Sequence, residues 1–184
     1  MQKNLKVVLF GPESTGKTSL SMELASKYNT FWCQEFARDY LFLKNKIEHR
    51  VEKGIVSIYE DIEPMAIGQI SIEDHFASLG KSIIFYDTNL LTNLIYSDYY
   101  FGKHPAWLSE TLQDRQYDLY LLLSIETPWV YDPLRDRPEA REVMYALFKT
   151  ELVKRNQRFE EIKGLGQERV DNAINVVSDF LTKQ

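Results

Sequence analysis

The strongest chemical signal in the chain is an eight-residue stretch, Gly11-Pro12-Glu13-Ser14-Thr15-Gly16-Lys17-Thr18, which fits the pattern G-x-x-x-x-G-K-[ST]. That spacing suits phosphate. A loop of this kind aims successive backbone N–H groups into one concavity, and the helix that follows adds the partial positive charge of its N-terminus. Lys17 supplies a point charge for terminal phosphates, and Thr18 supplies a hydroxyl suited to Mg²⁺. Gly11, Glu13, Ser14, Thr15, Gly16, Lys17, Thr18 and Ser19 are therefore the candidate nucleotide-binding residues. A chance glycine-rich turn would not place the lysine and threonine between a strand and a helix.

The loop leaves three reaction classes open: a switch GTPase, a motor or regulatory ATPase, and a small-molecule kinase. A GTPase needs a glycine two places after the residue that follows its third-strand acid. Asp87-Thr88-Asn89-Leu90 has none, and Asn45-Lys46-Ile47-Glu48 is only a loose base reader placed too early. A kinase needs an acid near the acceptor hydroxyl, an acid near the metal, and an arginine-bearing lid that excludes water. Glu35 closes the second strand, with Arg38 and Asp39 just beyond. Asp87 closes the third. Arg135, Arg137 and Arg141 follow the fourth. The candidate catalytic set is thus Lys17, Glu35, Asp39, Asp87, Arg135 and Arg137, with either Glu35 or Asp39 as base. Arg141 joins the nucleotide side, and Thr18 and Asp87 form the metal pair. Glu35 and Arg38 would also suit a solvated pair at a helix start, and Asp87 would suit a helix cap.

These residues need elements to hold them. Residues 5–10 form a short apolar, β-branched run that reads as a buried strand. Residues 18–28 repeat Leu20, Leu24 and Tyr28 at helical spacing. Residues 31–36 read as a second strand, 37–53 as a helix closed at Gly54, and 60–79 as another helix. Residues 82–87 and 118–124 are further strands, with a helix over 90–101 between them. Three prolines and three arginines mark 128–141 as a mobile lid whose arginines would clamp phosphate only when closed, and lie beside Asp132, Asp136 and Glu139 as partners for the open state. A charged helix over 139–161, with a break to a strand near 159–162 as the alternative, leads to a last helix over 172–181.

Strands alternating with helices, and apolar on both faces, imply a three-layer α/β domain of the P-loop NTPase type. Its parallel sheet should have about five strands, with ligands at the strand C-terminal ends. The chain of 184 residues has no internal repeat or linker and reads as one domain, 1–184. A net charge of −5, from 22 basic and 27 acidic side chains, argues against a broad nucleic-acid or anionic-membrane surface. One cysteine, Cys33, excludes an internal disulfide framework and suits a reducing, cytoplasmic setting. No apolar run is long enough for a membrane span. His49, His75 and His104 have no ligand spacing.

Five segments taken in order resemble the ribosylnicotinamide kinase domain of the NadR family. They are the loop 11–18, Glu35-Phe36-Ala37-Arg38-Asp39-Tyr40, Asp87-Thr88-Asn89-Leu90-Leu91-Thr92, Tyr117-Asp118-Leu119-Tyr120-Leu121-Leu122, and Trp129-Val130-Tyr131-Asp132-Pro133-Leu134-Arg135. The resemblance covers about residues 5–180. It implies a nucleoside-kinase-like fold and ATP- and Mg²⁺-dependent phosphorylation of nicotinamide riboside, a small-molecule nucleoside, to nicotinamide mononucleotide. The chain begins at the kinase strand and is expected to be a standalone module without a DNA-binding segment. Three positions depart from the family pattern. Asn89 replaces an acid, and Gln34 and Ile72 stand where ring-stacking aromatics are expected. Glu35, Arg38, Tyr40, Asp87, Asn89, Trp129 and Tyr131 are the candidate acceptor contacts. Tyr40, Trp129 and Tyr131 would supply the faces for a cationic ring.

Overall fold

The computed structural model describes residues 4–48, 55–135 and 137–183. Its centre is β1, Leu5–Phe10, whose last four residues are fully buried. Alternation along this strand builds two cores at once, because successive side chains point to opposite faces. Val8 and Phe10 enter one cluster, and Val7 and Leu9 enter the other.

Five parallel strands are ordered β2-β3-β1-β4-β5, with β2 at Trp32–Cys33, β3 at Ile83–Asp87, β4 at Leu119–Leu123 and β5 at Phe159–Ile162. Helices α1 (Lys17–Lys27) and α7 (Gly166–Thr182) cover one face through Leu20, Leu24, Ala173, Val177 and Phe180. The other face is covered by α3 (Ile62–Ser78), α4 (Leu90–Phe101), α5 (Ala106–Asp114) and α6 (Arg141–Lys154). Helix α2 (Phe36–Ile47) packs Ala37, Tyr40 and Leu41 against that same core. The expected three layers and five strands are thus present. Among the described residues no helix is long and apolar enough to cross a membrane.

Several boundaries differ from the sequence reading. The second strand was expected over 31–36, yet only Trp32 and Cys33 pair with β3. The chain leaves the sheet early because the Phe36 N–H donates to Gln69 Oε1 at 3.0 Å and α2 starts there. That helix ends at Ile47, and the expected close at Gly54 lies outside the described residues. Helix α5 was not expected. It is short and enters the core through Leu108 and Leu112, one turn apart, with Trp107 packed against the same cluster. The alternative break in the 139–161 helix is the one observed. The chain turns at Asn156, which adopts φ 52°, and then forms β5. The last helix begins six residues earlier than expected, at Gly166 rather than 172.

The step from β1 into the loop requires glycine. Gly11 has φ 133°, and a Cβ there would lie 3.1 Å from the Leu123 carbonyl oxygen at the end of β4. Gly11→Ala is expected to cost about 1–3 kcal/mol through strain at this junction. Urea unfolding monitored by circular dichroism measures it, and an unchanged midpoint would contradict the account.

Candidate active site

The parallel strands all deliver their C-terminal ends to one edge, and the polar residues that follow them meet there. After β1, Lys17 Nζ folds back onto the carbonyls of Gly11 (2.9 Å) and Pro12 (2.7 Å), while Thr15 Oγ1 donates to Pro12 O at 2.9 Å. Helix α1 has Gly16 at its N-cap and no side-chain cap, so its first N–H groups remain available to an anion. After β3, the Thr88 N–H donates to Leu9 O at 3.1 Å and fixes the turn that follows Asp87. Thr18 Oγ1 then donates to Asp87 Oδ2 at 2.5 Å.

Asp87 is buried and Lys17 and Glu35 are half-buried beside it, and the titrations follow. Burial lowers the pKa of Lys17, and the charges of Asp87 and Glu35 oppose that shift. Glu35, at the N-cap of α2, is pushed up to about 7, first by burial and then by the Asp87 charge; Lys17, Arg38 and Arg135 pull the other way. Asp87 is also raised, by burial above all, against Lys17, the Thr18 hydrogen bond and Arg38. Two acids and one lysine therefore share one site. Asp87 Oδ1 is buried and, among the described residues, has no hydrogen-bond partner. An orphan carboxylate oxygen beside the Thr18 hydroxyl fits the hard-oxygen donor set of Mg²⁺, an ion that keeps few protein ligands when it also binds phosphate. No cluster of three or more His, Cys, Asp or Glu suited to a metal occurs among the described residues.

The lid lies against the phosphate loop, with Ser14 as the hub. The Val130 N–H donates to Ser14 Oγ at 2.9 Å, and Thr127 Oγ1 donates to Ser14 O at 2.8 Å. Arg141 donates to Thr127 O at 2.8 Å and Ser14 O at 3.2 Å. Trp129 Nε1 donates to Glu13 Oε1 at 3.3 Å. Arg135 donates to Val130 O at 2.8 Å, and its charge still reaches Lys17 and Glu35. Arg137 lies over the rings of Tyr99 and Tyr100, at 5.5 and 5.2 Å from their centroids.

Several expected roles need correction. In the lid, Asp132 forms an ion pair with Arg38 of α2, and Arg137 lies over tyrosine rings. Asp136 lies outside the described residues. Tyr40 is not offered to an acceptor. Its hydroxyl donates to Asp61 at 3.0 Å, and Asp61 in turn receives Lys44 at 2.7 Å. Asn89 is fully buried and donates to the Tyr120 hydroxyl at 2.9 Å, so its amide faces the core. Tyr131 is 73% exposed, with its ring 6.3 Å from that of Trp129. Asp39 is exposed and accepts from Gln34 Nε2 at 2.8 Å, whereas Glu35 shares the field of Lys17 and Asp87. Ser19 is exposed on the first turn of α1.

Two residues of the site escaped the sequence reading. Arg169 of α7 is 5% exposed and donates to Thr15 O (2.5 Å), Gly164 O (2.8 Å) and Ser124 Oγ (2.9 Å). It braces the phosphate loop from behind, and a buried arginine at a helix start carries no local motif. Tyr96 of α4 is hydrogen-bonded to the backbone of Glu13. Its phenol pKa is raised well above the ordinary value by burial and by the charges of Glu35 and Glu13.

A parallel sheet with a phosphate loop after its central strand, acids after β2 and at the end of β3, and an arginine-bearing segment after β4 define a P-loop domain of the nucleoside-kinase fold. The chain belongs to the AAA domain family, whose model matches residues 6–169. It is 26% identical over 181 residues, 97% of its length, to the trifunctional NAD biosynthesis/regulator protein NadR of Salmonella typhimurium, and spans 43% of that protein. A crystal structure of NadR in complex with NR superimposes with a TM-score of 0.76 at 20% identity, covering 97% of this chain and 50% of that one. Deoxyadenosine kinase from M. mycoides superimposes at 0.66 and 14% identity, covering 95% of this chain and 100% of the kinase. The NadR-family resemblance carried by the motifs is borne out.

Two outcomes test this geometry. The folded chain holds the Glu35 proton up to about pH 7, whereas an unfolded glutamate releases it near pH ~4.3. The folded state therefore binds more protons across that window, and stability falls as pH rises through it. Glu35→Gln should match the parent below pH ~4.3 and be more stable by about 1–2 kcal/mol above pH 7, after allowance for partial exposure. Calorimetry at both ends of the window measures the difference, and equal stabilities at high pH would contradict the burial of Glu35. Arg169→Met should weaken ATP binding about tenfold by releasing the Thr15 carbonyl, at a cost near 1.5–3 kcal/mol in stability. Isothermal titration reads the affinity, and unaltered ATP binding would refute the brace.

Proposed function

We propose that this chain transfers the γ-phosphoryl group of ATP to a ribonucleoside hydroxyl, with nicotinamide riboside as acceptor and nicotinamide mononucleotide as product. One observation carries the reading. Glu35 and Asp87 flank Lys17 at a single sheet edge, with the Thr18 hydroxyl on Asp87 and an arginine lid alongside. The likeness to NadR, crystallised with NR, supports nicotinamide riboside as the acceptor.

In this reading the loop N–H groups and Lys17 hold the β- and γ-phosphates, and Lys17 exchanges its bonds to Gly11 and Pro12 for phosphate oxygens. Thr18 and Asp87 would hold Mg²⁺, which when bound neutralises phosphate charge. The acceptor hydroxyl oxygen attacks the γ-phosphorus, its proton passes to Glu35, and ADP leaves with the bridging oxygen. A carboxyl tuned to about 7 is matched to that proton transfer near neutral pH. Arg135 and Arg141 stand close enough to the loop to stabilise the transferring group while the lid excludes water.

The acceptor ring meets a different surface from the family pattern. Gln34 bonds Asp39, and Ile72 packs into the core. Trp129, held by Glu13, is the aromatic best placed beside the loop. Carboxylates at the acceptor edge suit a cationic base.

The test is ADP release against nicotinamide riboside, uridine, thymidine, adenosine and 2′-deoxy analogues under saturating ATP and Mg²⁺. Nicotinamide riboside is expected to give the highest kcat/KM, with deoxy analogues rejected because ribose-binding groups would be left unpaired. A tenfold preference for a pyrimidine nucleoside would remove the NAD-salvage assignment and keep the kinase. Lys17→Ala should lower turnover by about 10²–10³ with the fold intact. Near-normal turnover would overturn the phosphate-loop reading.

A further inference from the structure

Glu35 sits at the start of α2, where a two-residue strand hands over to a helix with no side-chain cap. Little in its own segment holds it. The hold comes from α3, through two consecutive residues that meet Phe36. Gln69 is 1% exposed, and its Oε1 accepts the Phe36 N–H at 3.0 Å. Gly68 lies against the Phe36 ring so closely that a Cβ would fall within it. A glycine inside a helix costs about 1 kcal/mol relative to alanine, so it needs a packing reason, and the ring is that reason.

Gln69 is itself oriented. Its Nε2 donates to Glu73 Oε1 at 3.1 Å, which points Oε1 toward Phe36. Glu73 is 1% exposed and receives the Tyr117 hydroxyl at 2.7 Å and Arg115 at 3.0 Å on its other oxygen. Arg115 also pairs with Asp74. The line runs unbroken from Arg115, at the far end of the sheet, to the backbone beside Glu35. A fully bonded buried network of this sort is rigid, because each member has only one satisfied orientation.

We propose that Gln69 and Gly68 are positioning residues for Glu35, holding it at the acceptor hydroxyl through the backbone and ring of Phe36. The inference rests on the kinase reading above and goes beyond it, since neither residue belongs to the loop, the acids or the lid on which that reading stands. Gln69→Leu deletes the acceptor for Phe36 N–H and leaves the loop 11–18 intact. Gly68→Ala drives the ring off its seat while raising helix propensity.

The experiment measures steady-state kinetics and thermal unfolding for both variants with nicotinamide riboside and ATP-Mg²⁺. A displaced base costs turnover steeply, so kcat should fall about 10–100-fold. The KM for ATP should stay within about twofold, because the phosphate loop is unaltered. Phe36→Ala removes the ring, keeps the backbone bond to Gln69, and should lower kcat less than Gln69→Leu does. Unchanged kcat in folded Gln69→Leu would overturn the proposal, as would a loss of ATP binding in step with kcat and unfolding temperature. An unchanged kcat in folded Phe36→Ala would also overturn it. A parent protein that releases ADP without regard to any nucleoside would instead defeat the kinase reading, and the positioning role with it. An active parent with indifferent variants defeats the positioning role alone.

Discussion

A lysine and two carboxylates confined where water is scarce set the terms for the rest of this molecule. Lys17 lies in the fields of Asp87 and Glu35, each of the three charges is penalised by burial, the Asp87 charge disfavours ionisation of Glu35, and both acids lean on the lysine. Such a cluster is costly without partners, and the surrounding structure supplies them. Thr18 bonds Asp87, the loop carbonyls hold Lys17, and Arg135 and Arg38 add positive charge from two sides. The cost is retained because the same low dielectric strengthens every interaction with phosphate.

The phosphate loop is held from both sides by residues distant in the chain. Behind it, Arg169 ties the Thr15 carbonyl to the end of β4 and to Gly164. In front, Ser14 gathers Val130, Thr127 and Arg141. The rear contact is buried and shared among several acceptors. The front contacts involve a segment with three prolines and few apolar anchors, Val130 and Tyr131 being largely exposed. That asymmetry suits a loop fixed to the core and covered by a movable flap.

The α2–α3 pair does for the acid what α7 does for the loop. The sheet ends its second strand after only two residues, so the register of β2 alone cannot locate Glu35. Close helix packing through Gly68, and a buried amide oriented by Glu73, take over that task. Position is thus fixed by contacts from a helix that contributes no charge of its own to the pocket.

Much of this was legible in the residues. The loop 11–18, the alternating strands and helices, the acids at strand ends and the arginine-bearing segment all follow from local spacing and periodicity, and a parallel three-layer sheet follows from apolar strands separated by helices. What stayed hidden depends on contacts across long sequence separations. Arg169 reaches Thr15 across 154 positions, and Arg38 meets Asp132 across 94. Tyr40 and Asn89 have the chemistry of ligand contacts, yet a buried Asp61 claims the Tyr40 hydroxyl and the Tyr120 hydroxyl claims the Asn89 Nδ2. Glu35 and Asp39 look equivalent along the chain, four residues apart. Only the packing of α2 on α3 turns one toward Lys17 and leaves the other on the surface with Gln34. Residue type and spacing determine which groups a chain can offer to a ligand. Burial and hydrogen-bond competition decide which remain free to be used, and both arise only once distant segments are packed together.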